Sequence, residues 1–117
     1  MKIQVNTDHS VDGSGALVQQ VEAEIHSALE HFEDRLTRAE VHLADESGEK
    51  HGSGADKRCL LEVRPAGMQP VVVTDFADTI EHAVVGASHK MQSLLSSTFG
   101  RIDGRDGDAT IRQNERN

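Results

Sequence analysis

Leu29-Glu-His-Phe-Glu-Asp-Arg-Leu-Thr-Arg-Ala-Glu-Val-His-Leu-Ala44 is the stretch in which the hydrophobic period changes. Upstream of it and into its first half, Leu17, Val21, Ile25, Leu29, Phe32 and Leu36 recur at spacings of three and four. That spacing makes one apolar stripe on a helix over Ala16–Leu36, widened by Val18 and Ala28. Ser14 suits the N-cap, since its hydroxyl can accept from an early helical N–H. From Thr37 to Ala44 the period is two: Ala39, Val41 and Leu43 point one way, and Arg38, Glu40 and His42 the other. A helix therefore feeds a half-buried strand. Before the helix, Lys2-Ile-Gln-Val-Asn6 also alternates and predicts a first strand. The opening unit is β-α-β, which calls for a parallel right-handed crossover.

Downstream the alternation continues. Asp45 to Asp56 is a polar, Gly-containing connection, long for a hairpin. Lys57 to Arg64 is a third strand with Cys59, Leu61 and Val63 inward, and Pro65-Ala-Gly67 is a turn. Gln69 to Thr74 is a fourth strand around Val71-Val-Val73, with Pro70 suited to an edge or a first position. Asp78-Thr-Ile-Glu81 has capping-box spacing with Asp at the cap. The helix that follows buries Ile80, Val84, Ala87, Met91, one of Leu94 and Leu95, and Phe99, and Gly100 suits its C-terminal stop. The predicted fold is α+β: a two-layer β-α-β-β-β-α sandwich, a four-stranded mixed sheet with both helices on one face. Residues 1–99 form the domain, and residues 100–117 a polar, flexible tail with at most a short strand at Ala109-Thr-Ile111.

The other sheet face is left to solvent or a partner. By alternation it carries Lys2, Gln4, Asn6, Arg38, Glu40, His42, Arg58, Leu60, Glu62 and Arg64. Its cations, Lys2, Arg38, Arg58 and Arg64, either pair with Glu40 and Glu62 or form a small basic patch for phosphates or an acidic partner. That choice matters because the 117 residues hold 12 Lys and Arg against 20 Asp and Glu, a net charge of −8. A chain of that charge with no Trp or Tyr is not a generic nucleic-acid binder. The tail from 100 on is neutral, so the acidity lies in residues 1–99, mainly on the first helix and the loop after the second strand.

Signals for catalysis are missing. The single Cys excludes an internal disulfide and a four-Cys zinc site, and Cys59 reads as a small buried hydrophobe. His26 and His31 are five apart, not the four of a helical metal pair, and His82 and His89 are seven apart with no nearby acid to complete a set. There is no phosphate loop and no Gly-x-Ser-x-Gly; Gly13-Ser-Gly-Ala16 is a helix start. The expectation is a non-enzyme with no catalytic residue, metal, cofactor or small-molecule substrate. With no apolar run of membrane-spanning length, and an N-terminus that alternates too early for a signal peptide, the expected place is the cytoplasm.

The ordered pattern resembles the ribosome hibernation-promoting factor / ribosome-associated inhibitor A family, also called sigma modulation or ribosomal subunit interface proteins. The resemblance covers residues 1–99. It rests on Met1-Lys-Ile-Gln-Val, Ala16-Leu17, Val21-Glu22, Ile25, Leu29-Glu-His-Phe32, Arg38-Ala-Glu-Val-His-Leu43, Ala83-Val84, Lys90-Met91 and Leu94-Leu95. It is to the short form, and this chain is unusually acidic for it. In the second helix Lys90 is kept, Ser93 stands where the family has Arg, and Glu81 stands where a Tyr is common. The resemblance implies a bacterial stress factor that binds the small ribosomal subunit through 16S rRNA phosphates and inhibits translation by steric occupancy. Lys90, Arg101 and Arg105 are the candidate contacts at the helix end, and Lys2, Arg38, Arg58 and Arg64 those on the sheet. The alternative is a protein–protein interaction module on the same fold, with another protein or a second copy in a homodimer as its partner and no direct rRNA contact.

Overall fold

The structure, a computed structural model, describes residues 1–8, 11, 13–46 and 55–110, with side chains through 103. Strand β1 spans Lys2–Thr7, helix α1 Gly15–Leu29, strand β2 Leu36–Asp45, β3 Lys57–Pro65, β4 Val71–Ala77 and helix α2 Ile80–Thr110. The sheet order is β1-β2-β3-β4. β1 runs parallel to β2, and the other two pairings are antiparallel. This is the α+β architecture expected from the alternating patterns. The inward residues Ala39, Val41, Leu43, Cys59, Leu61 and Val63 join Val21, Ile25 and Leu29 of α1 and Val84, Ala87, Met91 and Leu95 of α2 in one core. Leu95 is buried and Leu94 faces out.

Helix α1 begins where the sequence places it, since Ser14 Oγ accepts from the Leu17 N–H at 3.2 Å. It ends earlier than the stripe suggests. After Leu29 the chain tightens into a 3-10 helix over Glu30–Arg35, and Leu36 is already in β2. Three residues per 3-10 turn set Phe32 over Leu29, so spacings of three and four stay in phase across the change of helix type. The cap of α2 is Thr79, not Asp78: Thr79 Oγ1 accepts from the His82 N–H at 3.0 Å, while Asp78 is spent on the His82 ring at 2.9 Å.

Two boundaries in the second half also differ. β4 starts after Pro70 and runs on to Ala77, because Asp75 occupies an inward position and hides the alternation. α2 does not stop at Gly100 and carries no strand at residues 109–110, since it continues to Thr110. Glycine permits a C-terminal stop without imposing one. Here Ile102 packs against the core, and Arg35 pairs with Asp103 at 3.1 Å and lies 4.0 Å over the Phe99 ring, so the turn after Gly100 is held. Ile111 and the rest of the tail, like the centre of the Asp45–Asp56 connection, lie outside the described residues.

A close approach joins α2 to the edge strand. A Cβ on Gly86 would fall inside the carboxylate of Asp75, so only glycine lets α2 lie this near β4. The same carboxylate accepts from Lys90 Nζ at 2.9 Å. Gly86→Ala raises helix propensity by about 1 kcal/mol but costs about 1–3 kcal/mol through overpacking. A net loss of about 1 kcal/mol is expected in urea unfolding, and a stabilised variant would show that Asp75 moves aside freely.

Candidate nucleic-acid interface

The register assembles the outer sheet face into rows. Lys2 opposes Arg38, and Arg38 opposes Arg64, so three cations lie side by side across β1, β2 and β3. The next row holds Gln4, Glu40, Glu62 and Val72, and the one after it Asn6, His42, Leu60 and Thr74. Like charges directly opposite one another destabilise a sheet. Here the acidic row compensates them: Arg38 pairs with Glu40 and bonds to Gln4, and Arg64 pairs with Glu62 at 3.6 Å. The pairing of sheet cations with Glu40 and Glu62 is therefore seen for Arg38 and Arg64. With Lys2 they form a row, and most of the row is ion-paired.

The other candidates do not join it. Arg58 opposes Ala44 and Phe76, six residues along β3 from Arg64, and pairs with Glu46 at 3.5 Å. Six residues of strand are about 20 Å. Lys90 lies in the helical layer, donating to the Thr74 carbonyl at 2.8 Å and to Asp75. Arg101 is exposed on α2 one turn and a half beyond Leu95. Arg105 lies within the backbone of α2, and its side chain is outside the described residues. Spacings of four and seven put Lys90, Leu94, Ser97 and Arg101 on one stripe of α2. The seven residues thus divide into a three-cation sheet row, an isolated Arg58, and an α2 stripe.

Arg35 was not among the expected residues. It sits in the 3-10 helix, makes two contacts to Asp103 at 3.1 and 3.4 Å and covers Phe99. Its partner is 68 positions away, so no local pattern signals it. Several histidines meet carboxylates: His26 with Glu33, His42 with Glu40, and His82 with Asp78. The His82 hydrogen bond lowers the Asp78 pKa, and a hydrogen bond to Asp56 raises that of Lys57. No helix among the described residues is long and apolar enough to cross a membrane.

The sequence model of the Sigma 54 modulation protein / S30EA ribosomal protein family matches residues 3–102. Among solved structures, a ribosomal subunit interface protein from Coxiella burnetii superposes with a TM-score of 0.69 at 20% identity, covering 86% of this chain and 99% of that one. The Protein Y N-terminal domain of Thermus thermophilus gives 0.66 at 18%, covering 84% and 99%. At such identities the likeness is one of fold. Among curated proteins none matches.

Cys59 is buried in β3, and burial, helped by the charge of Asp75 opposite it, pushes its thiol up to about 12. Alkylation near about pH 8 is therefore expected only from unfolded chains, at the unfolding rate or population. The neutral thiol is favoured in the fold, so its contribution to stability is full below about 9 and is lost as pH rises towards about 12. Native-state labelling as fast as that of a free thiol would contradict the buried placement.

Proposed function

The chain belongs to the Sigma 54 modulation protein / S30EA ribosomal protein family, and on that premise we propose that it is a ribosome-associated stress or hibernation factor. It binds the small ribosomal subunit through 16S rRNA and inhibits translation by steric occupancy, with its place of action in the cytoplasm. The observation that carries this reading is the family match itself, which runs over residues 3–102, from within β1 to within α2. The row of Lys2, Arg38 and Arg64 supports a phosphate-facing surface, because it sets three cations side by side on the exposed sheet face, although Glu40 and Glu62 offset two of them. Lys90 and Arg101 on the α2 stripe are the second candidate surface, with Arg105 following in sequence. No catalytic step is part of the mechanism.

The net charge of −8 shapes how such binding behaves. Phosphate contacts release counterions, so affinity falls steeply with salt, and an acidic body adds repulsion that only local cations offset. The wild-type chain is expected to sediment with small subunits on a low-salt sucrose gradient and to leave them as salt rises. Remaining at the top of the low-salt gradient sinks the reading.

Lys2→Glu with Arg64→Glu discriminates the two surfaces, since both residues are exposed and the change leaves the core alone. If the sheet row meets the RNA, the double variant binds more weakly. Its log–log salt slope also becomes shallower, by about 0.7–0.9 for each phosphate that is no longer neutralised. Full retention of binding assigns the RNA-facing surface to the α2 stripe instead. A partner that is protein rather than RNA is the alternative reading, favoured by the exposed Val72 and Phe76 on the same sheet face.

A further inference from the structure

Among the described residues β4 is the last strand of the sheet, and one of its sides has no neighbouring strand. The hydrogen-bond phase of the sheet identifies which of its groups face that side. The Glu46 N–H donates to the Asp56 carbonyl at 2.8 Å, so this pair is a hydrogen-bonded one. Along the antiparallel register, Arg58, Leu60, Glu62 and Arg64 then direct their backbone groups to β2. Cys59, Leu61 and Val63 direct theirs to Asp75, Val73 and Val71 of β4. Val72, Thr74 and Phe76 are left with N–H and C=O groups on the open edge.

Such an edge invites another strand, and proteins block it with charge, proline or bulges. Within Val71-Val-Val-Thr-Asp-Phe-Ala77 there is no proline, glycine or basic residue. Two of its three outward side chains are apolar and exposed, Val72 at 51% and Phe76 at 46%, with the half-buried Thr74 between them. One device does stand on the edge. Lys90 reaches from α2, donates to the Thr74 carbonyl at 2.8 Å and is held there by Asp75 at 2.9 Å. Gly86 lets the helix come near enough for that reach.

Thr74 is also the centre of a self-complementary register. In an antiparallel pair of two β4 strands related by a two-fold axis at Thr74, Thr74 meets its copy and Val72 meets Phe76 in both directions. Each of these pairs exchanges two backbone hydrogen bonds, because all three residues have their groups on the open edge. Val72 against Phe76 is a favourable β-branched–aromatic pair, with Glu62 of β3 opposite Val72, Leu60 opposite Thr74 and Arg58 opposite Phe76. The occupant that fits this edge is therefore a second copy of the chain.

We propose that Lys90 guards the β4 edge, and that once the guard is withdrawn two copies of this chain join edge to edge through β4. The guard works by occupancy: the ammonium takes the carbonyl that the central pair needs. The inference goes beyond ribosome binding and does not rest on it.

Sedimentation equilibrium of the full chain tests it without any ribosome. Wild type and Lys90→Arg, which keeps a donor on the edge, should be monomers. Lys90→Met should sediment at twice the monomer mass, and Phe76→Asp added to it should restore the monomer. A folded Lys90→Met chain that stays monomeric overturns the proposal. So does association that survives Phe76→Asp, since the interface then lies elsewhere, and so does a wild-type dimer that Phe76→Asp dissolves, since Lys90 is then no guard. Should Lys90→Met not fold, Asp75→Asn loosens the same ammonium, and its dimer fraction must exceed that of wild type for the proposal to stand.

Discussion

The structure depends on one constraint: a four-stranded sheet with a single apolar face, which two helices must cover. Ala39, Val41, Cys59, Leu61 and Val63 are fully withdrawn from water, as are Ile25, Leu29, Met91 and Leu95 above them. With three Phe and no Trp or Tyr, the core is built from medium aliphatic side chains. Such a core has little area per residue and depends on close packing. That is why small features matter: the phase of the 3-10 helix keeps Phe32 in line, and glycine at position 86 brings α2 down onto the edge strand.

Covering one face releases the other. The outer face can then carry charge, and the register decides how it is arranged. Alternation alone places Lys2, Arg38, Arg58 and Arg64 on the same side. Register separates them, setting three in a row and leaving Arg58 at the far end beside Phe76. The acids of the neighbouring row offset most of that charge. On the proposed function such a surface would bind by local contacts within an acidic body, with an affinity sensitive to salt.

Lys90 belongs to two proposals, a phosphate contact and a guard of the sheet edge. The family resemblance marks it as a candidate phosphate contact. The structure finds it closing the sheet edge, bonded to a main-chain carbonyl and an aspartate. Its side chain is about half exposed, so leaving the edge for a phosphate needs only a rotamer change at the tip.

Much of this was legible in the linear pattern. The change from a period of 3.6 to a period of two at Leu36, the alternation of the strands, the Ser14 cap and the α+β order follow from rules that act over a few residues. Helix ends and contacts between layers did not follow. Gly100 looks like a stop, yet α2 passes through it because Ile102 finds the core and Asp103 finds Arg35. Asp75 looks like the end of a strand, yet it is an inward residue made tolerable by Gly86 and Lys90. Periodicity reports which side of an element is apolar, since that is written along the chain. What lies opposite that side, and which charges meet across it, is set by packing between elements far apart in sequence, and only the tertiary structure decides it.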